Sequence, residues 1–281
     1  MTRCGACRPA CEARGTVLRG DGGTVLRKAI YRLYAGKLRA QLAGGPVPRH
    51  LAIIIDGNRR WARQMGLADV SLGHQRGAEH IEEVLGWCAD AGITHVTVFV
   101  ASIDNLSKRA PTEIDFLMRL AEGVIPERLA GPAGRWQIHL AGRLDLLPDS
   151  TARALKEAEE ATRDRATGWH VTLAIGYGGR AEIADAVRSL LHDEAQAGTT
   201  ASALARTVTG EDIARHLYTS GQPDPDLVIR TSGEQRLSDF LLWQTAHSEL
   251  YFCDVYWPGF RRIDLLRALR AYAARNRRSP S

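Results

Sequence analysis

The stretch HLAIIIDGNRRWARQMG, residues 50–66, contains the feature that decides the fold: an apolar run that stops at a carboxylate. Residues Leu51 to Ile55 are consecutively apolar, which is typical of a strand buried on both faces of a parallel sheet. An aspartate, a glycine, an asparagine and two arginines follow, from Asp56 to Arg60. Because ligands of parallel sheets bind beyond the carboxyl ends of the strands, this stretch predicts a ligand site at one edge of a sheet.

Strand patterns alternate with helical patterns along the rest of the chain. Further strands are expected over 93–102, 135–142, 168–177, 225–233 and 254–258. Helices are expected over 25–42, 72–92, 110–129, 149–164, 181–198, 239–252 and 262–278. Such alternation implies right-handed crossovers between parallel strands. The sequence therefore predicts an α/β fold, a single domain with a mainly parallel central sheet wrapped by helices.

The domain organisation follows from length and composition. A chain of 281 residues that is 44% hydrophobic can bury one substantial core, and no internal repeat or linker divides it. We expect a disordered leader over 1–24, a catalytic domain over 25–275 and a tail over 276–281. Cys4 and Cys7 have the spacing of metal ligands, but no second pair follows at zinc-like spacing, so we interpret them as part of a reduced leader.

The charge pattern limits the partners without choosing among them. A net charge of +5 suits nucleic acid, an anionic membrane or phosphorylated small molecules. We do not expect nucleic-acid binding, because neither a helix-turn-helix nor an aromatic and basic strand platform is present. The chain has neither a run long enough to span a bilayer nor a secretory apolar core, and this predicts a cytoplasmic protein. The basic amphipathic helix over 25–42 is expected to dock on its own domain, with a membrane-surface role as the alternative.

Four predicted strand ends carry polar clusters, which begin at Asp56, Ala101, Gly176 and Arg230. Arginine side chains and glycine N–H groups suit diphosphate oxygens, because guanidinium groups bind them bidentately and glycine allows close approach. A carboxylate beside diphosphate needs a cation between them, and Mg²⁺ bound by carboxylate, water and phosphate oxygens is the ordinary solution. The pooled side chains are those of Asp56, Arg60, Asn105, Lys108, Arg109, Arg180, Arg230, Arg236 and Ser238.

Three of these residues, and His74, also have a simpler structural explanation. Asp56 could cap a helix that follows it, Arg230 and Arg236 could be surface ion-pair partners, and His74 could simply open a helix. The functional interpretation rests on their coincidence at strand ends. The chain has no GxxxxGK[ST] loop, strand–GxGxxG–helix unit or GxSxG elbow, which argues against nucleotide and α/β-hydrolase chemistry.

Five segments together resemble the cis-prenyltransferase family, which includes undecaprenyl diphosphate synthase, over about residues 25–275. They are HLAIIIDGNRRWAR (50–63), GHQRGAEHIEEVLGWC (73–88), SIDNLSKRAPTEIDFLM (102–118), AIGYGGRAEI (174–183) and DPDLVIRTSGEQRLSDFLLWQTAHSELYFCDVYWPGF (224–260). The resemblance implies a homodimer that uses Mg²⁺ to condense isopentenyl diphosphate with an allylic diphosphate, forming a cis double bond.

The resemblance also implies roles for individual residues. Asp56 is similar to the essential metal-binding aspartate, and Glu249 to a second metal ligand from the partner subunit's side of the site. Ser102 and Asn105 resemble a polar pair implicated in proton removal. The residues assigned to substrate binding are Gly57, Asn58, Arg59, Arg60, Trp61, His74, Ser102, Ile103, Asp104, Leu106, Arg109, Arg230, Arg236, Leu237 and Ser238, with Glu113 in the same flexible loop as Arg109.

Three departures from the long-chain members bear on the product. The segment before His74 has no arginine, Leu106 stands where those enzymes have tryptophan, and Val100 stands where they favour alanine in the product tunnel. A larger wall residue shortens a well-packed tunnel. Together with a resemblance to actinobacterial short-chain enzymes, this predicts (2Z,6E)-farnesyl diphosphate, made from geranyl diphosphate.

Four alternatives remain open at this point. One is a medium- or long-chain enzyme making decaprenyl or undecaprenyl diphosphate, whose products require a bilayer and give the basic helix a membrane role. Another is a branching synthase of the lavandulyl type. A third is a non-catalytic partner subunit, which is disfavoured because the site residues are all present: Asp56, Asn58, Arg60, Arg230, Arg236, Ser238 and Glu249. The proton acceptor is also open, since it could be a relay through Ser102 or water, or the departing diphosphate.

Overall fold

The computed structural model describes residues 22–132 and 134–277, with side chains in the first helix from residue 29 onward. Six strands form one sheet in which each neighbouring pair is parallel. The strands are β1 (His50–Ile54), β2 (His95–Ser102), β3 (Gln137–Ala141), β4 (His170–Tyr177), β5 (Leu227–Arg230) and β6 (Glu249–Phe252), in the order β3-β4-β2-β1-β5-β6. The predicted parallel α/β architecture is confirmed.

Helices connect these strands. They are α1 (Gly22–Leu42), α2 (Asn58–Gln64), α3 (Ser71–Asp90), α4 (Ile103–Lys108), α5 (Pro111–Ile125), α6 (Asp149–Glu160), α7 (Gly179–Gln196), α8 (Ala201–Thr207), α9 (Gly210–Ala214) and α10 (Arg262–Asn276). A π-helical turn, Pro126–Ala130, continues α5. The sequence-based prediction missed α4, α8 and α9 and treated α2 only as an alternative, because helices of five to seven residues are too short to show a clear apolar period.

The sheet is buried on both faces, as the apolar run in β1 predicts. Leu51 and Ile53 belong to a large cluster that α3, α5, α6 and α10 cover. Ala52 and Ile54 belong to a second cluster with Phe99 on the opposite face. Successive side chains of a strand point to opposite faces, so a strand covered on both sides has to be apolar throughout.

The strand register brings the polar clusters together. Ile54 at the end of β1 lies opposite both Phe99 of β2 and Arg230 of β5. Ser102 at the end of β2 lies opposite Tyr177 of β4. The residues that follow these strands therefore share the carboxyl edge of the sheet, which is where the sequence places the ligand site.

Two predicted elements near the end of the chain are wrong. Residues 239–248 form successive turns instead of the expected helix, and the strand is β6, not 254–258. Ser238, Asp239 and Leu241 have positive φ angles of 52°, 65° and 46°, which a right-handed helix cannot contain. Phe240 and Leu241 are buried against the sheet, and this burial explains why the segment contains apolar residues. Tertiary burial thus produced a pattern that resembles a helix.

Helix α1 docks on α10, as expected. Ala35 and Leu38 are buried against Ile263 and Leu266. Among the described residues, no helix has the length and apolarity needed to cross a bilayer. Residues 1–21, which include Cys4, Cys7 and Cys11 of the predicted leader, lie outside the described residues. The predicted domain boundaries remain predictions.

Candidate active site

Asp56 is held at the carboxyl edge by the residues around it. The Thr231 hydroxyl accepts a hydrogen bond from the Asp56 amide at 2.9 Å and donates one to the Asp56 carbonyl at 2.7 Å. The Trp257 amide donates to the same carbonyl at 3.0 Å. Gly57 follows with φ 98°, and a Cβ there would come within 2.6 Å of Tyr256 Cδ1. The turn that presents the carboxylate therefore requires glycine at this position.

Two arginines hold the carboxylate of Asp56. Arg230 Nη2 donates to Oδ2 at 2.9 Å, and Arg60 Nη2 donates to Oδ1 at 3.3 Å. Burial opposes ionisation of Asp56, but the hydrogen bonds from Arg230 and Ser232 and the charges of the two arginines outweigh it and lower the pKa of Asp56. Asp56 is therefore an anion at neutral pH.

Arg230 organises the loop that follows β5. Arg230 is only 4% exposed. Its Nη1 donates to the Arg236 carbonyl at 2.5 Å and to Ser238 Oγ at 2.6 Å. Its Nε is buried and has no partner among the described residues. A buried guanidinium N–H without a partner is costly, and an anionic ligand would satisfy it.

The same loop stores backbone strain. Within 232–241, four non-glycine residues have positive φ: Ser232, Ser238, Asp239 and Leu241. Such conformations cost free energy and persist where the surrounding structure imposes them, often at binding sites. Arg60 contributes to this, because its Nη2 donates to Ser232 Oγ at 2.8 Å while its guanidinium lies 5.4 Å from the Tyr256 ring centroid.

Glu113 gathers a second set of cationic groups at the start of α5. Its Oε1 lies 3.0 Å from His74 Nε2 and 3.1 Å from Arg109 Nη1, and its Oε2 lies 3.3 Å from Arg59 Nη1. Burial and the charge of Arg109 lower the pKa of His74, although Glu113 acts in the opposite direction. His74 is therefore neutral at pH 7, and Glu113 fixes the arginines that the sequence assigns to substrate binding.

Ser102 and Asn105 are in contact. Ser102 is the N-cap of α4, and its Oγ accepts hydrogen bonds from the Asn105 amide at 3.0 Å and from Asn105 Nδ2. With two bonds accepted, the hydroxyl hydrogen of Ser102 remains available to be donated. The pair is therefore suited to orienting a ligand oxygen and is a poor proton acceptor.

A polar cavity of about 700 Å³ joins most of these groups. Its lining includes Asp56, Gly57, Asn58, Arg59, Arg60, Arg63, His74, Asp104, Asn105, Lys108, Arg109 and Glu113. Five of these side chains are Lys or Arg and three are carboxylates. The excess of positive charge, counted with neutral His74, favours an anionic ligand such as a phosphate ester.

An apolar pocket of about 80 Å³ lies beside the polar cavity and shares Ile55, Asn58, His74 and Arg109 with it. Most of its wall comes from α3 and α5, through Ala78, Ile81, Leu117, Leu120, Ala121, Val124 and Ile125, and Val100 of β2 is part of the wall. Gly73 and Gly77 allow α2 to lie against α3, since a Cβ on either would come within 2.3 Å of an Asn58 oxygen. A charged head and an apolar tail could thus occupy adjoining spaces.

Several predicted site residues lie outside the polar cavity. Trp61 packs against Gly259, and Leu237 packs against the apolar cluster of Phe99. Leu106 lies near Gly176 at the end of β4, and Ile103 lies near Gly178, which follows it. The backbone N–H of Arg180 donates to Asp239 Oδ1 at 3.1 Å. These residues support the loops that carry the site, and motif membership alone does not distinguish that role from ligand contact.

Within one chain, Glu249 does not meet Asp56. Glu249 begins β6, opposite Leu227 at the amino end of β5, whereas Asp56 follows the carboxyl end of β1. About five residues along the strand direction correspond to about 16 Å. The carboxylate of Glu249 pairs instead with Arg275 at 2.5 Å. The two residues cannot share a cation inside a single chain.

Sequence reasoning missed Thr231, Ser232, Glu234 and Tyr256, which position Asp56 and Arg60. Thr231 and Ser232 directly follow Arg230 at the end of a predicted strand, and this position could have indicated that they belong to the site.

The donor set fits a divalent cation that arrives with its ligand. Among the described residues, no group of three or more His, Cys, Asp or Glu could hold a metal ion alone. Asp56 is one hard oxygen ligand, 31% exposed toward a cavity rich in arginine. Mg²⁺ commonly binds through one or two carboxylates, with the remaining ligands from water and substrate phosphates. The site fits that pattern and does not fit a preformed metal cage.

A basic cavity at the carboxyl edge of a parallel sheet, with an apolar pocket beside it, defines an α/β enzyme for substrates that are anionic at one end and apolar at the other. The prenyltransferase family model, that of undecaprenyl diphosphate synthase, matches residues 54–280. The chain belongs to this family, and it is a cis-prenyltransferase.

Relatives and a solved structure agree with this assignment. An isoprenyl transferase of Streptomyces fradiae is 65% identical over 250 residues, covering 89% of this chain and 96% of the relative. A (2Z,6E)-farnesyl diphosphate synthase of Thermobifida fusca is 55% identical over 254 residues, covering 90% of this chain and 98% of the relative. The structure of lavandulyl diphosphate synthase from Lavandula x intermedia with dimethylallyl diphosphate has a TM-score of 0.73 and 34% identity, covering 81% of this chain and 95% of the other.

Proposed function

We propose that the enzyme condenses isopentenyl diphosphate with geranyl diphosphate to give (2Z,6E)-farnesyl diphosphate. The observation that carries this proposal is the small apolar pocket beside the polar cavity, with Val100 in its wall. A closely packed wall resists insertion of further carbon atoms, so a small pocket favours a short product. The synthases of Thermobifida fusca and Mycolicibacterium smegmatis, 55% and 51% identical, bear the name of this product.

In this proposal the two diphosphates occupy separate parts of the site. The allylic diphosphate lies in the polar cavity, where Arg59 and Arg109 are held by Glu113. The isopentenyl diphosphate binds at Arg230, Arg236 and Ser238, where the Arg230 Nε has no partner within the described part of the chain. Asp56 stands between the two and is the ligand for Mg²⁺, which when bound neutralises charge on the diphosphate that departs.

The reaction breaks the allylic C–O bond while the isopentenyl double bond forms a new C–C bond. Negative charge grows on the departing diphosphate, and arginine donors stabilise it more as the bond lengthens. One proton must then leave the isopentenyl carbon chain. Because Ser102 Oγ already accepts two hydrogen bonds from Asn105, we assign this pair to orientation and assign proton uptake to the departing diphosphate.

The test is an incubation with labelled isopentenyl diphosphate, Mg²⁺ and either dimethylallyl, geranyl or farnesyl diphosphate in separate tubes. Products are dephosphorylated and sized by chromatography. A single C15 alcohol from geranyl diphosphate is expected. A ladder that reaches C50 would show a long-chain enzyme, and a branched C10 product from the dimethylallyl tube would show a synthase like its lavandulyl relative, which shares the fold. No product from any primer would indicate a non-catalytic subunit.

We further propose that the enzyme is a homodimer in which Glu249 of one copy serves the Asp56 site of the other. The separation of the two carboxylates within one chain supports this arrangement. The test mixes an Asp56→Asn chain with a Glu249→Gln chain after each is shown to be inactive. A shared site recovers activity in mixed dimers, because one of the two sites then has both carboxylates. Absence of recovery in mixed dimers that form would contradict it.

We propose that α1 lets the protein, which is otherwise cytoplasmic, touch a membrane surface. Ile30 and Leu33 are 57% and 75% exposed on the basic helix, beside the exposed Arg32. Such a face can rest in the interface of an anionic bilayer. The wild type is expected to co-sediment with phosphatidylglycerol vesicles but not with phosphatidylcholine vesicles. The fraction that co-sediments with phosphatidylglycerol is expected to fall in Leu33→Glu. Equal sedimentation of the variant would contradict the contact.

A further inference from the structure

The apolar pocket has charged side chains at its far end. The helices that form most of its wall run side by side in the same direction, since His74 meets Glu113 near the polar cavity and Glu82 meets Arg128 further along. Eight residues of α3 separate His74 from Glu82, which corresponds to about 12 Å along the helix axis. Both Glu82 and Arg128 belong to the pocket wall.

These two side chains form an ion pair between the pocket and the solvent. Arg128 Nη1 lies 2.9 Å from Glu82 Oε2, and the side chains are 40% and 50% exposed. Each therefore has one side toward water and another toward the apolar space. The pair joins α3 to the end of α5 across the pocket wall.

The local backbone directs Arg128 into this position. It lies in the π-helical turn Pro126–Ala130, whose backbone turn is wider than that of an α-helix. Leu129 of the same turn is buried and also lines the pocket. One turn thus supplies both an apolar wall residue and a charged residue at the pocket end. Short π-helical turns often occur at functional positions.

We propose that the Glu82–Arg128 ion pair closes the far end of the apolar pocket and stops chain elongation there. The inference rests on the proposed function and adds a second determinant of product length to Val100. A longer hydrocarbon tail has to separate the two side chains. Each charged group would then lie against the tail without its partner, which is unfavourable.

The closure and the wall act by different physical means. Val100 limits the pocket by volume, so its effect depends on side-chain size. The ion pair limits the pocket by charge and by the length of its two side chains. Its effect therefore depends on opposite charges at the two positions. Because both side chains are about half exposed, the pair contributes little to stability, and its removal is expected to leave the protein folded.

The experiment compares product lengths from geranyl diphosphate and labelled isopentenyl diphosphate for wild type, Arg128→Ala and Glu82→Ala. Products of C20 and longer are expected to rise about fivefold relative to C15 in each variant, the ratio that one ordinary exposed ion pair supports. The double variant with Glu82→Arg and Arg128→Glu restores opposite charges and is expected to return the product to C15. Circular dichroism checks that each variant is folded.

A matched control is Glu160→Ala at the end of α6, which removes an exposed ion pair with Arg163 outside the pocket wall. It is expected to leave the product at C15.

If the wild type makes C15 and all variants do too, the closure is wrong while the proposed function stands. If the charge-exchanged variant behaves like the alanine variants, the pairing of charges is not the cause and the closure as proposed is wrong. If the wild type makes long chains or no product, the proposed function fails first and the closure falls with it.

Discussion

The carboxylate of Asp56 accepts a hydrogen bond of 2.9 Å from Arg230, a residue 174 positions further along the chain. The contact joins the end of β1 to the end of β5, which are neighbours in the sheet. It keeps the carboxylate ionised and leaves the Arg230 Nε buried without a partner among the described atoms. The two diphosphate-binding regions that we propose meet at this ion pair.

Replacement of Asp56 by asparagine is expected to lower kcat/KM by about 10²- to 10³-fold, because an electrostatic contribution to the transition state is lost. Because asparagine has nearly the same shape as aspartate, the decrease in kcat/KM measures the contribution of the negative charge. Steady-state kinetics with saturating Mg²⁺ measure it. Asp145→Asn is the control, since Asp145 pairs with Arg143 on the surface outside the cavity, and its kinetics are expected to match wild type. Near-normal turnover in Asp56→Asn would remove the metal role from this residue.

Val100→Ala is expected to lengthen the product, because a smaller side chain deepens the apolar pocket. The measurement is the chain-length distribution from geranyl diphosphate. Val98→Ala makes the same change on β2 at a buried position outside the pocket wall. That control is expected to lose about 1–3 kcal/mol of stability and to keep the C15 product. An unchanged distribution in Val100→Ala would place the length limit elsewhere.

Gly57→Ala is expected to lower activity by about 10²-fold, since small displacements of a catalytic group have effects of this size. The new Cβ would meet Tyr256 at 2.6 Å at a φ of 98° and displace the adjacent Asp56. Gly66→Ala is the matched control, because Gly66 has φ 71° but no neighbour within 4 Å of a Cβ. Both variants should lose stability in thermal melts through backbone strain, about 1–3 kcal/mol. Only Gly57→Ala should lose activity; equal activity would show that the turn tolerates a side chain.

Thermal stability is expected to decrease as the pH falls from about 6.5 toward 4. Burial lowers the pKa of His50 and His95 from 6.5 to about 4, with further lowering at His95 from the charge of His170. The unfolded chain therefore takes up protons first, so this stability is complete above pH 6.5 and is lost as the pH falls through 4. The Tm measured between pH 7.5 and 4 tests this.

The variant for this prediction is His50→Gln, whose Tm is expected to fall less steeply over that interval than the Tm of wild type. His192→Gln changes an exposed histidine and serves as the control. Identical slopes in wild type and His50→Gln would show that His50 does not carry the effect.

Most of the fold was predictable from local patterns. The apolar runs of β1 and β2 and the helical periods of α3 and α7 depend on neighbours within a few residues, so they are readable in the sequence. The segment 239–252 was not, because its apolar residues are buried by distant parts of the sheet and its turns depend on positive φ at Asp239 and Leu241.

The site divides in the same way. Strand-end chemistry and family motifs indicated Asp56, Arg60, Asn105 and Arg230 before any contact was visible. They could not distinguish cavity-lining residues from supporting ones, which is why Trp61 and Leu237 were assigned to the substrate. They also could not show that Glu249 lies at the opposite edge from Asp56.

The sequence by itself determined five of the six strands, the longer helices, the polar residues that end the strands and the family to which the chain belongs, because each depends on residues that are close together in the chain. Only the tertiary structure decided which of those residues touch. The Asp56–Arg230 contact, the lowered pKa of His74 and the Glu82–Arg128 ion pair arise from elements that are distant in sequence. Such contacts are set by strand order, helix packing and burial, and no local pattern encodes them.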